Sequence, residues 1–146
     1  MANSYPAALT NAVAATAPNG ATSGSYTLIA EYNLGAAPPH EVMLDVTLKP
    51  ALTPSSTAKQ TVLFMASSSD GTSWSDAPSA TTEANSRAIG YIAHPDATAR
   101  RPAAIPLSPH FAGALARYIR IYAKNDTGVA YDTTGNSIVA TPELFG

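Results

Sequence analysis

The sequence predicts an all-β chain: an antiparallel β-sandwich, jelly-roll-like, led by an extended N-terminal arm. Three observations predict it. Apolar and polar residues alternate with a period of two in several short runs. Turn residues separate these runs at intervals of about 8–15 residues, the pattern of sandwiches and jelly rolls. Outside the arm, no helical periodicity persists over as many as about ten residues.

The arm spans residues 1–24 and carries no charge; the first charged residue is Glu31. One stretch, Leu9–Ala15, is compatible with a short helix, but Pro6 and Pro18 bracket it and Asn19-Gly20 is a turn pair. A secretory signal is not expected, since no basic residue leads the segment and Asn11 breaks the apolar run. An uncharged, small-residue arm is expected to pack, on its own sheet or on a neighbour, with Tyr5, Leu9 and Val13 as candidate contacts. A frayed terminus is the alternative. The organisation read from the sequence is thus an arm, 1–24, and a sandwich, 25–146.

The first strand is Tyr26–Tyr32. The clearest is Glu41–Lys49, in which Val42, Leu44, Val46 and Leu48 share one face while Met43, Asp45, Thr47 and Lys49 share the other. Pro38-Pro39 and Pro50 limit it, because proline cannot donate to a ladder. Gln60–Ser67 is more apolar and runs into Asp70-Gly71, a hairpin turn signal. Arg87–His94 follows. Arg101–Leu107 contains Pro102 and Pro106, so it fits only an edge. Leu115–Lys124 sends Ile119, Ile121 and Ala123 to one side and Tyr118, Arg120, Tyr122 and Lys124 to the other. Val129–Asp132 and Ser137–Ala140 flank a turn at Thr133–Asn136. Asp76–Asn85 is expected to be a loop, and Pro109–Ala116 a turn.

Composition excludes several chemistries. Zero cysteines exclude disulfides, thiolate zinc sites and cysteine nucleophiles. Eight Lys+Arg against ten Asp+Glu leave a net charge of −2, which argues against a nucleic-acid grip or a polybasic membrane anchor. No apolar run reaches the roughly 18 residues of a spanning helix. His40, His94 and His110 lack metal-ligand spacing and are expected at the surface or at strand ends. There is no GxSxG elbow, and the acids are scattered among turns and polar strand faces. No catalytic residue, metal or cofactor is therefore expected, and an enzyme is not the reading chosen.

Two features point to binding. Trp74, the only tryptophan, follows the Asp70-Gly71 turn, and Tyr91, Tyr118 and Tyr122 lie elsewhere. Such aromatics stack on sugars or anchor protein interfaces. Equally, Trp74 can cap the end of the core. The second feature is the pair Arg100-Arg101, suited to interface contacts or simply solvated.

The segment Phe64–Trp74 (FMASSSDGTSW), with Ala116–Tyr122 (ARYIRIY) later, resembles the discoidin or coagulation-factor C-domain jelly roll. That resemblance covers well under a quarter of the chain and implies topology without a ligand. In size and manner the whole chain also resembles the small decoration, or cement, proteins of tailed bacteriophages. The start MANSYPAALTNAVAATAPNG, the low charge and the Ala/Thr/Pro-rich loops carry that likeness. It implies a virion structural protein that stabilises the outer capsid surface after assembly in the host cytoplasm. Its partners would be the major capsid protein and itself, as a homotrimer or homodimer. Contacts would come from Tyr5, Leu9, Val13, Trp74, Arg100 and Arg101. The alternative is a carbohydrate-binding sandwich module stacking sugars on Trp74 and Tyr91.

Overall fold

A computed structural model describes residues 7–75, 88–111 and 115–143. Among these residues seven strands form two antiparallel sheets: β1 (Tyr26–Asn33), β2 (Glu41–Thr47), β3 (Gln60–Ser68), β4 (Ala88–Ala93), β5 (Ile105–Pro106), β6 (Tyr118–Asp126) and β7 (Ser137–Glu143). The four-stranded sheet runs β1-β6-β3-β4 and the three-stranded sheet β5-β2-β7. Only the β3→β4 connection stays within its sheet; every other one crosses between layers.

The core is where the alternation predicts it. Val42, Leu44 and Val46 of β2 face Leu63 of β3 and Ile119, Ile121 and Ala123 of β6, all buried in one cluster. Tyr32 and Tyr131 are its largest buried side chains. β2 keeps strict in–out alternation because one side meets the core and the other solvent. β4 and β5 stack closely: a Cβ added at Gly90 would stand 2.7 Å from Ile105 Cδ1, so any larger residue there would have to push that side chain aside. Glu41 pins the Ser108–His110 3-10 turn by accepting hydrogen bonds from the Leu107 and Ser108 amides at 2.9 and 2.8 Å and from the Ser108 hydroxyl.

Residues 7–24 lie against their own sandwich. The Leu9 amide donates to the Ala140 carbonyl of β7 at 2.8 Å, and the Ala12 amide to the Glu31 carbonyl of β1 at 2.9 Å. Asn11, between them, acts as a side-chain strand partner. Its Nδ2 donates to the Ile29 carbonyl (3.1 Å), and its Oδ1 accepts from the Glu31 amide (3.0 Å) and the Val13 amide (2.9 Å). The contact falls at a β-bulge, where the register of β1 on β6 shifts between Leu28 and Ala30. Further on, Gly20 and Ala21 exchange backbone bonds with Tyr131. The arm therefore bridges the edge strands of both sheets, and of the two expectations for its packing the structure shows the first, on its own sheets.

Other local expectations shift in detail. No helix forms at Leu9–Ala15, where irregular backbone with a bend at Ala12–Val13 leads into turns from Ala15. Val129–Asp132 makes only an isolated bridge, Tyr131 to Pro50, and Asp70-Gly71 closes a small turn bridged by Ser67 and Ser75. In that turn, Asp70 accepts from the amides of Ser73 and Thr72 and from the Ser68 hydroxyl, which together hold its carboxyl well below the usual range. Tyr5 and the Asp76–Asn85 loop lie outside the described residues.

Candidate interaction surface

Sheet register decides which side chains share the outer face of the four-stranded sheet. One row reads Tyr26, Lys124, Val62, Tyr91 across β1, β6, β3 and β4. The next reads Leu28, Tyr122, Phe64, Ala88, followed by Glu31, Arg120, Ala66, and then Asn33, Tyr118, Ser68. With Trp74 lying over Arg120, this face carries six of the nine described aromatic residues: Tyr26, Phe64, Trp74, Tyr91, Tyr118 and Tyr122.

Most of these rings are already occupied. The Arg120 guanidinium lies 4.0 Å from the Trp74 ring centroid, Arg117 lies 5.2 Å from that of Tyr118, and Lys124 Nζ lies 5.5 Å from that of Tyr26. Tyr26 also packs on Phe64 at 5.6 Å between centroids. Arg120 Nε donates to Glu31 at 2.6 Å across the sheet. Cations over aromatic faces are attracted by the ring quadrupole and help to exclude water, so the face forms a compact outer layer. Trp74 belongs to that layer, half-buried, and does not cap the end of the core.

Tyr91 is the exception, being 61% exposed. It sits on β4, two strands from Arg120 and two register rows away, or roughly 13 Å along the strands. Trp74 and Tyr91 therefore share a face without forming one platform. A groove of about 330 Å³ runs beside Tyr91, lined by Ile92, Ala93, Arg100, Arg101 and Pro102. Arg101 also walls a second groove, of about 220 Å³, with Asp45, Thr47, Ser137 and Val139. Val139, 43% exposed, is another of the few exposed large apolar side chains. Both arginines are paired, Arg100 with Asp96 at 3.0 Å and Arg101 with Asp45 at 2.9 Å. The Arg101 pair, with that side chain largely exposed, is worth little by itself.

Leu9 and Val13 lie elsewhere, each in its own shallow depression: Leu9 with Leu34, Pro38, Pro39 and Pro142, and Val13 with Asn11, Asn136 and Ile138. The structure thus brings Tyr91, Arg100 and Arg101 together and leaves Trp74, Leu9 and Val13 apart. Sequence reasoning missed Val139, which lies opposite Asp45 on the outer face of the three-stranded sheet.

The histidines divide. His94 stands at a strand end, directly after β4, as one of the two expectations had it, but it is fully buried. Its Nε2 is 2.9 Å from the Thr61 hydroxyl, which is 2.5 Å from the Tyr131 hydroxyl. Burial, and then the nearby Arg100 charge, hold the imidazole pKa down to about 4, so it is neutral near pH 7. Burial pushes Tyr131 up as well. This chain of polar groups lies inside the fold and is closed to a substrate. Among the described residues no three of His, Asp and Glu converge as metal ligands.

Compared with family models, curated proteins and solved structures, the chain matches none.

Proposed function

We propose that this chain is a virion structural protein that decorates the outer surface of a bacteriophage capsid. The observation that carries the reading is the patch around Arg101, where exposed Tyr91 and Val139 stand on either side of one arginine across two adjoining grooves. An exposed aromatic ring and arginine are residue types enriched at protein interfaces, and Val139 adds apolar area beside them. The low charge of the chain, 12% against roughly 25% in average domains, also suits docking, since few ions need desolvation. Many copies on a lattice would add modest contacts into firm retention.

The carbohydrate reading has weaker support. Trp74 offers at most one ring face, because Arg120 covers the other, and Tyr91 stands alone. The arm residues from 7 onward are already engaged with their own sheets, so the support for docking lies on the sandwich surface.

The test is co-sedimentation with capsid shells assembled without the protein. Wild type should saturate them, and Arg101→Glu combined with Val139→Asp should lower affinity at least about tenfold. Bare shells with wild type, or equal occupancy by the double variant, would overturn the proposal. Retention on neutral glycans that Tyr91→Ala abolishes would favour the alternative.

A further inference from the structure

The four sheet edges are treated unequally. β1 and β7 are bridged by the arm through Ala12, Asn11 and Leu9. β5 has two residues and ends in Pro106, which cannot donate. β4 has six residues, Ala88–Ala93, and among the described residues no segment pairs with its outer edge. Within the strand itself, the sequence guards against edge pairing, charge and proline, are missing. AIGYIA contains no charge and no proline, and its bulge lies at one end, at Ile89, leaving Gly90–Ala93 regular.

We infer that β4 pairs, antiparallel, with β4 of a second copy about a two-fold axis at Tyr91. This rests on the reading of the chain as an assembling protein and names its first partner. The two four-stranded sheets would become one sheet of eight. The axis at Tyr91 keeps the pleats in phase, as it must, because a slip of one residue sends every side chain to the wrong face. Tyr91 then meets its copy on the outer face, and Gly90 meets Ile92 on the inner one, following the faces they hold against Val62, Leu63 and Thr61 of β3. A cross-strand aromatic pair stabilises such a contact and covers the most exposed ring of the sheet face. The charge-free strand leaves no like charges opposed within the ladder. The groove walled by Arg100, Arg101 and Pro102 lies beside Tyr91, Ile92 and Ala93 and gives the added strand a seat, which leaves the second groove, with Asp45, Arg101 and Val139, as the part of the patch open to a shell. An isologous two-fold contact of this kind closes on itself and so stops at a dimer.

The absence of native cysteine makes the test direct. Opposed residues in an antiparallel pair have Cα atoms about 4.5–5.5 Å apart, inside the range a disulfide spans. Tyr91→Cys should therefore oxidise to a covalent dimer in good yield, while Val139→Cys and Leu52→Cys should not. Sedimentation velocity on the wild type should show a reversible dimer, and Tyr91→Lys, folded by circular dichroism, should be monomeric. A monomeric or trimeric wild type would overturn the inference, as would efficient cross-linking at Val139 in place of position 91. Shell binding separates the two readings: a monomer that still coats shells removes the dimer alone, and a dimer that leaves shells bare removes the capsid reading alone.

Discussion

The guanidinium of Arg120 lies 4.0 Å from the ring centroid of Trp74, and that contact joins two segments 46 positions apart on one sheet face. Glu31 fixes the other side of the guanidinium at 2.6 Å. Arg120→Ala should cost about 1–2 kcal/mol, the sum of a partly desolvated cation–π contact and a half-exposed ion pair. Because Trp74 is the single tryptophan, acrylamide quenching of its fluorescence should rise in the same variant. Unchanged urea midpoint and quenching would show the contact to be idle.

The buried His94 predicts an acid-sensitive window. Below pH 6.5 the unfolded chain protonates this imidazole, while the folded chain resists until about pH 4. The unfolded state then binds more protons, so stability should fall as pH drops from about 6.5 to 4, by up to about 1.4 kcal/mol per unit, and level off below. Asp96, held down to about 2 chiefly by the hydroxyl and amide of Thr98, acts in a lower window: its contribution is present above pH 3.8 and lost as pH falls towards 2. His94→Gln should flatten the upper window in urea titrations and leave the lower one. A slope that survives the substitution would place its origin elsewhere.

The Asn11 side chain holds β1 by two hydrogen bonds, to the Ile29 carbonyl and the Glu31 amide, and braces its own segment by a third, from the Val13 amide. Asn11→Ala leaves the Ile29 carbonyl and Glu31 amide without that partner, and stability should drop by about 1–3 kcal/mol. Removing residues 1–24 should go further and uncover edges of both sheets, giving a protein that aggregates on concentration. Light scattering of the truncated chain at matched concentration checks this, and a soluble, equally stable product would refute it.

Gly128 adopts φ +81°, and an added Cβ would stand 2.4 Å from Ser55 Oγ and 2.5 Å from the Ser56 backbone nitrogen. Both the left-handed backbone and the contact with main chain disfavour any side chain. Gly128→Ala should destabilise by about 2–4 kcal/mol, read from thermal or urea unfolding. A loss under about 0.5 kcal/mol would mean the Ser55–Ser56 loop moves aside freely.

The strands were legible because their chemistry is local. Val42, Leu44 and Val46 show their inward face at any reading, and the split of β6 into Ile119, Ile121 and Ala123 against Tyr118, Arg120, Tyr122 and Lys124 is the split the sheet displays. What was not legible depends on distant neighbours. Nothing near Asn11 in the chain announces a bulge at Ile29. Nothing near His94 announces that Thr61 and Tyr131 arrive from β3 and a late loop to bury it. Tyr91 and Arg101 were each singled out, but their shared groove exists only because β4 and the segment before β5 lie on the same flank.

The leading segment, by tying β7 to β1, gives the two layers a spine on one flank, which among the described residues has no counterpart on the other. Like a book, the molecule should loosen first at its fore-edge, where β4 and β5 meet with Gly90 against Ile105. Amide protons there should exchange with solvent sooner than those near the spine, and whatever closes over β4 would act as the clasp.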